Sequence, residues 1–246
     1  MKTIAVGNQK GGVGKTTTTL NLGYALADRG RRVVLVDLDP QASLTVACGV
    51  ADSAGHSLAE VLTGGAAITS VLVELRAGLS LVPGDIALSE TELILVSRMG
   101  REYALRQALQ PLASSFDYCL IDCPPSLGLL TINSLGAADS VLIPAIPQYL
   151  DLRALAIFNS TIDLVRKQIN PGLMIAGILP TFYDGRLKLH GEILQAWEAA
   201  ELPILPMRIK RSVRFAESPI AGEPLSAYDP KQAEVYDQLA EILDHG

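Results

Sequence analysis

TIAVGNQKGGVGKTTTT, residues 3–19, runs from a short apolar segment through a glycine-rich loop into a threonine-led segment. The first residues suit a strand buried on both faces, and the run from Lys15 has helical spacing that closes at Gly30. Between them, Gly11, Gly12 and Gly14 let the backbone fold tightly with its N–H groups pointing inward. The loop ends on Gly14-Lys15-Thr16, as phosphate cradles do, in the strand–loop–helix context that supports such a reading. Lys10 stands one residue ahead of the glycine pair, where a cradle alone does not require it.

In this setting Lys15 reaches the β- and γ-phosphates, Thr16 ligates Mg²⁺ and Thr17 donates to the α-phosphate. Backbone groups of Gly11, Gly12, Val13 and Gly14 surround the phosphates, and the helix N-terminus adds partial positive charge. ATP with Mg²⁺ is the expected ligand. Such a site calls for a carboxylate at the end of a neighbouring strand. DYCLIDCPPS (117–126) supplies Asp122, and VVLVDLDPQ (33–41) supplies Asp37 and Asp39.

Apolar runs recur at 3–7, 32–37, 79–84, 117–122, 140–145 and 173–179. Helical patterns lie at 15–29, 101–112, 129–138, 151–169, 188–200 and 230–244. Strands alternating with helices predict an α/β fold of the P-loop NTPase kind: a mostly parallel twisted sheet with helices on both faces. Residues 49–70, rich in Gly, Ala and Ser, read as a surface excursion. A single domain spanning 1–246 is expected.

The 246 residues carry a net charge of −6, so DNA binding has to come from a local basic patch. The three cysteines make no disulfide framework, the three histidines have no metal-ligand spacing, and no stretch reaches membrane-spanning length. A cytoplasmic protein is expected.

Taken together, KGGVGKTTTTLNLGYALA (10–27), VVLVDLDPQAS (33–43), DYCLIDCPPSLGLLTINSL (117–135), FYDGR (182–186) and RSVRFAESPIAGEP (211–224) resemble the ParA/Soj group of deviant Walker ATPases, relatives of MinD. The resemblance covers nearly the whole chain. It implies a weak intrinsic ATPase in which Lys10 reaches across a sandwich homodimer to the partner's phosphates and Gly11 permits the close approach. It also implies that Asp39 orients the attacking water and that Asp122 holds the Mg²⁺ shell, the carboxylates acting through water. A cation supplied in trans makes hydrolysis conditional on dimerisation.

Arg208, Lys210, Arg211 and Arg214 form a basic run without an acidic residue between 203 and 214. Such a run suits non-specific contact with double-stranded DNA. The resemblance adds that Arg214 and Arg186, with Lys188 close by, match DNA-contacting positions, and that Lys210 and Arg211 border the nucleotide, Lys210 replacing a common proline. The expected activity is nucleoid-associated partition of a chromosome or plasmid, stimulated by a ParB-like partner. Positioning of a protein cargo, such as a microcompartment or chemosensory cluster, is the alternative, followed by a small-molecule P-loop enzyme. The acidic last segment, 231–246, argues against a MinD-like membrane anchor, and Cys119 and Cys123 read as core residues rather than cluster ligands. The first strand begins at residue 3, which leaves no room for an N-terminal helix-turn-helix.

Overall fold

The computed structural model describes residues 1–50, 56–221 and 223–245. Its frame is one sheet of seven strands: β1 (Lys2–Val6), β2 (Val33–Asp37), β3 (Val73–Arg76), β4 (Leu79–Val82), β5 (Tyr118–Asp122), β6 (Ser140–Ala145) and β7 (Met174–Pro180). Their order is β3-β4-β2-β5-β1-β6-β7, parallel except for the edge strand β3. Alternate residues feed two cores. Ile4, Val6, Val33, Leu35, Leu120 and Leu142 face one side, whereas Ala5, Val34, Val36, Ile121, Val141 and Ile143 face the other.

The first core is covered by α1 (Lys15–Asp28) and α11 (Pro230–His245), which packs on it through Tyr236, Leu239 and Ala240. Ile242, on the same helix, remains 38% exposed. The second core is covered by α3 (Leu58–Thr63), α5 (Ala104–Leu109), α6 (Leu129–Ala137), α7 (Tyr149–Gln168) and α8 (Lys188–Ala199). The remaining helices are α2 (Ser43–Ala47), α4 (Leu88–Val96), α9 (Arg214–Ala221) and α10 (Leu225–Tyr228).

Three expectations change. The helix expected over 101–112 is the six-residue α5 between two 3₁₀ turns, with Pro111 in the second. The excursion at 49–70 contains α3, which buries Leu58, Ala59, Val61 and Leu62; residues 51–55 of it lie outside the described residues. Finally, β3 pairs with β4 across Ala77-Gly78, where Gly78 has φ +81°, so the edge of the sheet is a hairpin.

Candidate nucleotide site and basic surface

The parallel register sets the site at the carboxyl ends of β1, β5 and β2. Val6 and Asp37 both pair with Asp122, so the loop leaving β1 starts beside two buried carboxylates. Gly12 and Gly14 adopt φ +71° and +89°, which favours glycine, and Gly14 caps α1. The loop is anchored from both ends. Asn8 donates to the Pro144 carbonyl at 2.8 Å and accepts from the Lys10 amide at 3.0 Å, and Thr181 donates to the Val13 carbonyl at 2.8 Å. These two ties to β6 and to the end of β7 went unread in the sequence, because they join residues more than 130 positions apart.

Lys15 is 7% exposed, and its Nζ donates to the Lys10 carbonyl at 3.2 Å. Burial lowers its pKa, and nearby Asp122 opposes the shift. The Thr16 hydroxyl donates to Asp122 Oδ2 at 2.6 Å. Asp122 is pushed up to about 8, first by burial and then by Asp37. Asp37 rises to about 6 through burial, although Thr45 donates to it from both its hydroxyl and its amide. Asp39 is only half-buried and accepts from the Gln41 amide at 2.9 Å.

These oxygen donors fit Mg²⁺. A buried carboxylate already holding a loop hydroxyl is the pairing that a hard cation uses, with the remaining positions left to water and phosphate. Among the described residues no cluster of three or more His, Cys, Asp or Glu builds an all-protein cage. Cys119 and Cys123 are buried in the core, and burial raises both thiols.

Lys10 donates from Nζ to Gln148 at 3.3 Å within its own chain. Gly11 is different from Gly12 and Gly14, since its φ lies outside the left-handed region and a Cβ there would meet only Pro125 Cβ at 3.9 Å. Beside the cradle, a small cavity of 30 Å³ is bordered by Gly14, Thr17, Phe182, Lys210 and Phe215, and Arg211 is exposed next to it. Phe182, the first residue of FYDGR, has φ +49° over the cradle, a strained conformation for an aromatic residue. A cavity of 460 Å³ lies between α3, α4 and α5 and is lined by no carboxylate.

The basic positions fall on two segments. Met207 and Ile209 are buried while Arg208 and Lys210 are exposed, a strand-like alternation. Arg186 is 89% exposed and paired with Asp184 at 2.8 Å, and Lys188 opens α8. Arg214 pairs with Glu217 at 2.9 Å and lies 3.9 Å from Asp229, so a phosphate there competes with carboxylates of the same chain. No helix among the described residues is long and apolar enough to cross a membrane.

A family model for an AAA domain matches residues 1–175. The sporulation initiation inhibitor protein Soj of Bacillus subtilis is 41% identical over 251 residues, covering 100% of this chain and 99% of that protein. The chromosome partitioning protein ParA of Myxococcus xanthus is 43% identical, covering 93% of this chain and 82% of its own length. The solved structure of a Mycobacterium smegmatis cobyrinic acid a,c-diamide synthase with bound ADP and magnesium superposes with a TM-score of 0.87 at 40% identity, covering 100% of this chain and 95% of that one.

Proposed function

The chain belongs to the ParA/Soj family of P-loop ATPases, and from that membership we propose that it is an ATP-dependent switch whose two loaded subunits form a nucleotide-sandwich dimer. Residues 1–246 act as one ATPase domain. The dimer binds DNA without reading its sequence, and a ParB-like partner stimulates hydrolysis and releases it. The cargo is a chromosome or plasmid, with a protein assembly as the other candidate.

The observation that carries the dimer is Gly11. Neither its backbone angle nor its own chain requires a glycine there, since a Cβ would make only ordinary contact at 3.9 Å. A glycine that its own fold does not need, directly after Lys10, suits a second subunit passing close to the loop. Lys15 and the backbone of Gly11, Gly12, Val13 and Gly14 then hold the phosphates, and Asp39 orients the attacking water. Lys10 of the other subunit stabilises charge on the transferring phosphoryl group. Mg²⁺, held by Thr16 and through water by Asp122 and Asp39, supplies further charge neutralisation when bound.

The test is Asp39→Ala. It is expected to bind ATP, dimerise and stay on DNA while hydrolysing little, read by co-sedimentation and phosphate release. Rapid release of this variant from DNA in ATP would contradict the assignment. A small-molecule synthase is the second reading, favoured by the 40% identity to the Mycobacterium smegmatis structure. Fast turnover on a metabolite without DNA is its signature.

A further inference from the structure

The two basic segments are 20 or more positions apart in sequence, and two residues with no charge role join them. After β7 the chain turns through Tyr183-Asp184-Gly185-Arg186-Leu187 into α8. His190, on the first turn of α8, is 5% exposed, and its Nδ1 accepts the Asp184 amide at 3.1 Å. That bond assigns the ring proton to Nε2 and closes the turn, which is completed by Leu187 N–H on the Asp184 carbonyl at 3.1 Å. The Asp184 carboxylate, aimed by this turn, receives Arg186 through Nε at 3.0 Å and Nη2 at 2.8 Å, and Nη1 takes no part in that pair.

On the other side of the turn, the Tyr183 amide donates to the Ile209 carbonyl at 2.9 Å, and Tyr183 bridges to Lys210 in parallel. The Tyr183 ring lies 5.9 Å from His190 and carries the Arg208 guanidinium 4.8 Å above its centroid. Arg208, Tyr183, His190, Asp184 and Arg186 therefore form one continuous chain of contacts.

We propose that His190 and Tyr183 are positioning residues that lock the 184–188 turn onto segment 207–210, so that Arg186, Lys188, Arg208 and Lys210 act as one phosphate-contacting surface. The proposal rests on the DNA-binding reading above. Long cationic side chains lose rotamer freedom when they engage a phosphate, and a preorganised turn and a ring beneath a guanidinium reduce that loss. His190 is 5% exposed, so its effect on a phosphate passes through the turn and the cation it holds, and Tyr183 acts through the Arg208 guanidinium above its ring.

The experiment compares His190→Phe, which keeps a ring but removes the acceptor, with His190→Asn, whose side-chain oxygen can take over the Nδ1 bond. Binding to a random-sequence duplex is titrated against salt in ATP, with ATP affinity and thermal melting measured alongside. His190→Phe is expected to bind roughly tenfold more weakly at physiological salt, with a salt slope shallower by about 1–2 for each subunit, the share of the Arg186 and Lys188 contacts. ATP affinity stays at the wild-type value, and His190→Asn restores the slope. Wild-type DNA binding by a folded His190→Phe, or loss that Asn does not restore, overturns the positioning role. If His190→Phe does not fold, Tyr183→Leu carries the same test through Arg208, and an unchanged slope there overturns the proposal equally. Arg186→Glu/Lys188→Glu separates the two ideas: if it too binds DNA normally, the DNA surface itself is wrong, whereas if it alone fails, only the positioning role falls.

Discussion

Two lysines five residues apart in one loop meet opposite environments. Lys15 is buried under the cradle, with its ammonium on the Lys10 carbonyl and its charge offset by Asp122. Lys10 is only partly buried and has its ammonium on Gln148, a neutral acceptor on the loop before α7. In the proposed switch Lys15 binds and Lys10 accelerates, so the two substitutions separate. Lys10→Ala is expected to keep its ATP affinity within a few-fold while losing partner-stimulated hydrolysis by roughly 10³-fold, the scale of a cation supplied in trans. Equilibrium nucleotide binding and single-turnover hydrolysis measure the two quantities. Normal stimulated turnover in Lys10→Ala would remove its in-trans role.

At the scale of elements, the ends of β2 and β4 are interlocked around one buried acid. The Thr45 hydroxyl on α2 donates to Asp37 at 2.7 Å and accepts the Gly84 amide at 2.9 Å, while a Cβ on Gly84 would lie 2.6 Å from the Asp37 carbonyl. Asp37 has a folded pKa of about 6 against 3.8 for the free group, raised chiefly by burial. The folded state therefore binds the proton more tightly than the unfolded chain, and this favourable contribution is present below pH 4 and lost as pH rises through 6. The loss is on the order of 2–3 kcal/mol. Asp37→Asn keeps an acceptor for Thr45 and carries no charge. Its nucleotide-free, Mg²⁺-free form should be more stable than wild type at pH 7.5, with the advantage shrinking as pH falls towards 4, as read by urea unfolding. An advantage that does not vary with pH would contradict the burial of an ionised Asp37.

The same junction marks how far the sequence could be read. The parallel strands stand out because burial on both faces makes them continuous apolar runs, and the cradle stands out because its glycines and Gly14-Lys15-Thr16 are local. By contrast, β3 carries Glu74 and Arg76 on a half-exposed edge, and α9 contains Pro219, so neither shows the pattern of its element. Asp37 was visible as a strand-end acid, but its neighbour Asp122 is set by register. Phe182, His190 and the Thr181 anchor likewise owe their roles to contacts that only the folded chain makes.

For the whole molecule, the decisive quantity is the number of cations that face one duplex at once. The chain carries a net charge of −6, so a subunit as a whole is repelled by DNA and binding depends on the local surface. That surface offers Arg186, Lys188, Arg208 and Lys210; Arg186 on Asp184, like Arg214 on Glu217 and Asp229, is ion-paired within the chain and reaches a phosphate only by sharing or exchanging its partner. Each phosphate contact adds about 0.9 to the slope of log affinity against log salt, so four contacts give a subunit a slope of at most about −3.6. A two-fold dimer that presents both surfaces to one duplex approaches twice that value, and its affinity rises further because the second surface binds intramolecularly. With hydrolysis blocked by Asp39→Ala, the ATP state is expected to show a slope close to double that of the ADP state, and Lys10→Ala should lower it if Lys10 supports the dimer. Arg214→Glu should weaken binding less than Lys210→Glu, because its charge is already partly neutralised. Fluorescence anisotropy on a long duplex at 50–300 mM salt, paired with light scattering for mass, measures slope and assembly together. Equal slopes in ATP and ADP, with the mass doubling in ATP, would mean that the dimer does not bring its two basic surfaces to the same DNA.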